Sequence, residues 1–96
     1  MTALNTTGLM AINEDVVFTQ IDEDIVMMDA KSGEYHGLNR VGAELWNLLD
    51  KNPMNLNDMV SYVQTTYALD EATATMDVHV FVEAMLKQNF FVPVTI

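Results

Sequence analysis

The chain has 96 residues, 50% of them apolar, which suits one compact domain with a modest core and excludes intrinsic disorder for most of its length. Fourteen acidic residues against four basic ones give a net charge of −10, which argues against nucleic acid and anionic membranes as partners. The sequence has no cysteine, and therefore no disulfide, thiolate metal site or thiol nucleophile.

The N-terminal residues are expected to stay outside the folded unit. Residues 1–14 are polar and irregular and are expected to form a loose arm, whereas residues 15–96 are expected to form a single domain. The N-terminus lacks the cationic and apolar stretches of a signal peptide, and every apolar run is shorter than the roughly 18 residues that cross a membrane. We therefore expect a cytoplasmic protein without membrane insertion.

The first part of the predicted domain is a β-meander. Asp15–Ile21 is rich in β-branched and aromatic residues, and Ile25–Met28 is a continuous apolar run, as in a central strand. Glu34–Leu38 is a third short strand, and polar turns separate the three segments. The third strand is expected to lie at an edge of the sheet, where its backbone groups lack a partner on one side.

The rest of the chain has helical spacing. Asn39 is expected to cap a first helix, which ends before a proline. A second helix follows a cap at Asn55 or Asn57, and Asp70 caps a third that runs to about Gln88. Three strands followed by three helices predict an α+β, winged-helix-like fold.

Several apolar residues outside the main helical stripes are also expected in the core. The segment Phe90–Val94 is expected to be extended and to pack on the core. Methionine usually fills irregular gaps in a core, so six methionines within or beside the apolar elements are assigned there. They are Met27, Met28, Met54, Met59, Met76 and Met85.

No residue pattern is typical of catalysis. The two histidines, His36 and His79, lie in different predicted elements without the spacing of metal ligands. A glycine-rich phosphate loop and a nucleophile elbow are both missing from the sequence. The carboxylates of Asp22 and Asp24 are expected in a solvated turn, which is not the buried setting of a catalytic carboxylate pair. We therefore expect no metal, no cofactor and no enzymatic activity.

Two segments of the sequence carry a resemblance to a known family. Met28–Asn39 (MDAKSGEYHGLN), followed by Gly42–Asp50 (GAELWNLLD), resembles the PqqD family. Asp77, with Phe81 and Phe90 after it, is similar to that family's third helix and closing apolar pair. With Tyr35 in the first segment and Trp46 in the other, the chain most resembles the stand-alone leader-binding proteins of lasso-peptide clusters.

The resemblance implies a non-catalytic recognition element for ribosomally made precursor peptides. Such a protein binds the leader segment of the precursor by β-strand addition and presents it to a separate leader protease or modifying enzyme. Carried over by position, the peptide-binding residues are Glu34, Tyr35, His36, Gly37 and Leu38 of the third strand and Thr73, Asp77, Val80 and Ala84 of the third helix.

Two other functions compete with leader binding. A winged-helix DNA-binding regulator is disfavoured because residues 55–88 contain one base against five acids. A structural or inhibitory subunit could use the same strand edge for a protein partner, and the sequence does not distinguish it from a leader-binding protein. The neighbouring genes would separate the two.

Overall fold

Residues 8–94, which the computed structural model describes, run strands first and helices second. The elements are β1 (Met10–Ile12), β2 (Val16–Ile21), β3 (Asp24–Asp29), β4 (Tyr35–Leu38), α1 (Arg40–Lys51), α2 (Leu56–Tyr67), α3 (Glu71–Lys87) and β5 (Phe91–Pro93). Strands β2, β3 and β4 form an antiparallel meander in that order. The predicted α+β fold, with a three-stranded meander followed by three helices, is confirmed.

The register of the meander separates an inner from an outer face. Met27 lies opposite both Phe18 of β2 and His36 of β4, and this row packs toward the helices. The next row places Met28 between Val17 and Tyr35, and its side chains point away from the core because successive residues of a strand alternate between faces. The expectation that Met28 lies in the core is therefore wrong.

The helices begin at the capping residues that the sequence indicates. The side chains of Asn39 and Asn55 accept hydrogen bonds from the backbone amides three residues on, which settles the second cap on Asn55 rather than Asn57. The carboxylate of Asp70 accepts a bond of 2.7 Å from the amide of Thr73, and hydrogen bonding to Thr73 lowers the pKa of Asp70. Each cap satisfies a helical amide that otherwise lacks a partner.

The core is centred on the single tryptophan. Trp46 of α1 is completely buried, and its ring lies 5.3 Å from that of Phe18, 6.4 Å from that of Phe90 and 5.7 Å from that of Phe91. These contacts join the meander, α1 and the closing segment into one cluster, as expected for the apolar residues near the C-terminus. The expected extended segment is confirmed as β5.

A carboxylate on α1 holds the end of α2. The hydroxyls of Tyr62 and Tyr67 donate to Oε2 of Glu44, at 3.2 and 2.5 Å, and Arg40 lies 3.8 Å from the other oxygen of the same carboxylate. The hydrogen bond to Glu44, with desolvation, raises the pKa of Tyr67 to about 12. This contact fixes α1 and α2 relative to each other.

One expectation about the N-terminus is wrong for residues 10–12, which form β1 instead of part of a loose arm. Strand β1 pairs antiparallel with β5, and Met10, which is buried, exchanges backbone hydrogen bonds of 2.8 and 3.1 Å with Met54. A three-residue strand has little local signal, because its stability comes from partners more than 40 residues away in the sequence. The part of the predicted arm in residues 1–7 lies outside the described residues.

Candidate functional site

Strand β4 is an outer strand of the described meander. Some of its backbone groups point toward β3, and the others point toward the open edge of the sheet. The carbonyl of Glu34 accepts a hydrogen bond of 2.9 Å from the amide of Asp29 in β3. Amide directions alternate along an antiparallel strand, so the amides of His36 and Leu38 point toward β3. The amides and carbonyls of Tyr35 and Gly37 therefore point away from the sheet, along its open edge.

The side chains of β4 leave this edge accessible. The side chain of Tyr35 is 72% exposed on the outer face, and a Cβ built on Gly37 would have no atom within 4 Å. On the inner face Leu38 is buried, and the His36 ring is half-buried with its centroid 4.9 Å from that of Phe90. The strand can therefore offer its backbone to a partner while two of its side chains anchor it to the core.

A groove of about 520 Å³ lies where the Leu38 end of β4, α1 and α3 meet. Its described walls are Asn39, Val41, Gly42, Leu45, Met76, Asp77, Val78, Val80 and Phe81. A Cβ on Gly42 would stand 3.1 Å from a ring atom of Phe81 and 3.4 Å from Cβ of Leu38. Glycine at this position therefore lets α1 and α3 approach closely at the bottom of the groove.

The four residues predicted on α3 are all exposed, on the side of the helix opposite the core. Asp77 and Val80 line the groove, and Val80 is 66% exposed. Ala84, one turn after Val80, continues along the same side beyond the described lining, and Thr73 lies in the capped first turn. The structure thus brings two of the four helix residues together with the end of β4.

The groove also includes residues that were not predicted from the sequence to belong to the site. Val41 and Leu45 of α1 and the half-buried Phe81 contribute apolar walls. Met76, which was expected in the core, is 68% exposed at the edge of the groove, so that expectation is wrong. Its position four residues before Val80 is the signal that could have placed it beside the predicted site residues.

The charges around this edge and groove are mainly acidic. The carboxylate of Glu34 lies 3.7 Å from Nε2 of His36, and Asp77 forms no ion pair with any residue of the described chain. Within residues 8–94, no three histidine or acidic side chains are grouped so that they could hold a metal ion. In the same range, no helix is long and apolar enough to span a membrane.

An open strand edge beside an apolar groove is the architecture of a domain that takes an extended peptide as an additional strand. The family model of PqqD, described as coenzyme PQQ synthesis protein D, matches residues 24–90. Because this match spans more than half of the chain, the chain belongs to the PqqD family. The family resemblance read from the sequence motifs is confirmed.

Two solved structures are similar to this chain over most of its length. One, described as TbiB1 in complex with the TbiA(beta) leader peptide, is 27% identical, with a TM-score of 0.77 over 84% of this chain and 93% of that chain. The other, lasso peptide synthetase B1 complexed with the leader peptide, is 21% identical, with a TM-score of 0.75 over 88% of this chain and 98% of that chain, and shows the fold alone. A comparison with curated proteins gives no match.

Proposed function

We propose that this protein is a non-catalytic recognition element that binds the leader of a ribosomally made precursor peptide and presents it to a separate leader protease or modifying enzyme. The observation that carries the proposal is the open edge of β4 beside the groove. Support comes from the family and from the 27% identical structure, which is described as a complex with a leader peptide. Binding and presenting a leader peptide requires no catalytic group, metal or cofactor.

In this proposal the leader adds a fourth strand next to β4. The outward backbone groups of Tyr35 and Gly37 supply the hydrogen bonds, each contributing roughly 0.5–1.5 kcal/mol. Gly37 has no side chain to obstruct the incoming strand. Alternate leader side chains then point into the groove, where Val80 offers an apolar contact and Asp77 attracts a basic residue.

The remaining predicted site residues have secondary roles in this arrangement. Leu38 and the ring of His36 hold β4 in place from the inner face. Glu34, just before the strand, adds a negative charge at the start of the docking edge. Thr73 and Ala84 extend the contact of the leader along α3 to either side of the groove.

Presentation to an enzyme uses the outer face of the meander, which leader docking leaves uncovered. Val17 is 60% exposed, and it lies in one row with Met28 and Tyr35 across the three strands. A leader strand beside β4 would lengthen this apolar row by one of its own side chains. An enzyme that packs on the row would therefore contact the recognition protein and its leader at once.

A DNA-binding function is not favoured by the surface of α3. Its outward side chains include Glu71, Asp77 and Glu83, which repel phosphate, whereas its one base, Lys87, lies at the C-terminal end.

The test is residue-resolved amide exchange with and without the leader of the precursor peptide encoded in the same gene cluster. We expect exchange at Tyr35 and Gly37 to slow when the leader is added. The amides of Phe18 and Gln20, on the open side of β2, serve as the internal control and should not change. Protection at the β2 amides, or at no strand amide, would contradict docking on β4.

A further inference from the structure

Helix α3 carries an apolar row on the side that faces solvent. Ala72, Met76, Val80 and Ala84 follow one another at intervals of four residues, and all four are exposed. The core side of the same helix is formed by a different set, Ala74, Val78, Val82 and Met85. The outward side of a surface helix is normally charged or polar, so a second apolar row, here called the ridge, needs a reason.

The ridge is continuous with the groove beside β4. Met76 and Val80, which are 68% and 66% exposed, line the groove on one side of α3 and a shallow open depression on the other. The ridge therefore forms the border of the groove on the α3 side, opposite β4. A peptide that leaves the groove in this direction stays in contact with apolar side chains as it crosses the helix.

The charges beyond the ridge restrict what can lie there. Glu71 and Glu83 line the shallow depression together with His79, and none of its described lining residues is a lysine or an arginine. A second copy of this chain, with a net charge of −10, would bring the same acidic surface against these carboxylates. A segment that carries a Lys or Arg next to an apolar residue complements both the ridge and the acids beyond it.

We propose that the leader has a second subsite on α3, which holds the leader segment that continues past the Leu38 end of β4. An apolar leader residue packs on Met76 and Val80, and a neighbouring Lys or Arg meets Glu83 or Glu71. A helix with its side chains is about 10–12 Å across, and an extended chain advances about 3.3 Å per residue. The crossing therefore takes roughly four leader residues. This inference rests on the proposed function and extends the footprint of the same ligand.

The experiment compares three synthetic peptides in fluorescence-anisotropy titrations. They are the full leader of the precursor encoded in the same gene cluster, and two shortened forms that lack the four residues beyond the strand-forming segment at one end or at the other. Wild-type protein should bind one shortened form roughly 5–10-fold more weakly than the full leader and should bind the other almost as well. If no peptide binds the wild-type protein, the proposed function itself fails.

Variants then assign the difference to the ridge. Met76→Gln should weaken binding of the full leader by about the same factor. It should not change the affinity of the shortened peptide that binds more weakly, because the substitution and the truncation remove the same contact. Met76→Leu should restore binding of the full leader. Ile21→Gln, at the end of β2 with a side chain that is 54% exposed, is the matched control and should bind all three peptides like the wild type.

Three results would overturn the second subsite. An equal loss for the full and both shortened peptides in Met76→Gln would assign Met76 to the groove alone. A lower melting temperature of this variant without peptide would show that another part of the chain covers the ridge. A shift from dimer to monomer on sedimentation of Met76→Gln would show that a second copy covers it.

Discussion

The meander has two outer strands, and they differ in what lies beside them. Strand β2 is the longer one, six residues without a charge or a proline, and the register points the amides of Phe18 and Gln20 to its open side. Strand β4 has four residues, and only Tyr35 and Gly37 present outward amides. Each edge therefore presents two outward amides, and the count of open amides alone does not favour either edge for an added strand.

The surroundings of the two edges, by contrast, differ. The Leu38 end of β4 opens onto the apolar groove against α3, so a strand docked there can bury alternate side chains. Acidic residues stand at both ends of β2, with Asp15 before it and the Asp22–Asp24 turn after it. Backbone hydrogen bonds are available to any extended peptide, whereas a groove selects by side chain. The position of α3 therefore distinguishes the proposed docking edge from an ordinary exposed edge.

The largest expected effect concerns the side of β4 that faces the sheet. His36→Pro should lower the free energy of unfolding by about 3 kcal/mol, because proline removes an amide that bonds to β3 and the aromatic contact with Phe90 is lost. Urea denaturation measures the change, and His36→Ala separates the loss of the ring from the loss of the amide. Wild-type stability in His36→Pro would show that the register of β4 is misassigned.

The next effect compares the two open edges directly. Tyr35→Pro and Gln20→Pro each delete one outward amide, the first on β4 and the second on β2. Tyr35→Pro should bind the leader at least 30-fold more weakly, about 2 kcal/mol, because a hydrogen bond is lost and the proline ring obstructs the incoming strand. Gln20→Pro should bind the leader like the wild type. Isothermal titration calorimetry measures both affinities.

Two checks accompany this comparison. Tyr35→Ala retains the amide and should keep most of the affinity, which separates the backbone from the phenol ring. Circular-dichroism melts should show that both proline variants stay folded. A greater loss of affinity in Gln20→Pro than in Tyr35→Pro would move the docking site to β2.

The smallest expected effect tests the contact between the leader and α3, the helix that lies beside the edge of β4 but not beside that of β2. Val80→Glu should weaken leader binding by on the order of 1 kcal/mol, or about fivefold, because the leader would partly desolvate a charge without a partner. Val17→Glu places the same charge on β2 at an exposed apolar position and should leave the affinity unchanged. Anisotropy titrations in parallel compare the two. Equal losses would indicate a general charge effect rather than contact with α3.

The sequence predicted the parts of the fold that have local signals. Neighbouring residues determine the helix caps at Asn39 and Asp70 and the turns of the meander. All of these predictions are confirmed. The outward direction of the Tyr35 amide could not be predicted, because it depends on the pairing of Asp29 with Glu34 across a four-residue turn. Helical spacing alone also did not show that Met76 faces solvent instead of the core, because α3 has apolar residues on two sides.

The pairing of β1 with β5 has a consequence for how the domain can be combined with others. The carbonyl of Leu9 accepts a hydrogen bond of 2.9 Å from the amide of Val94, so the two ends of the described chain lie side by side. Adjacent ends allow a domain to be inserted into a loop of a host protein without stretching either one. Neither Leu9 nor Val94 lies at the proposed docking edge of β4 or in the groove. The domain could therefore be grafted into an unrelated enzyme as a ready-made substrate-recruiting module.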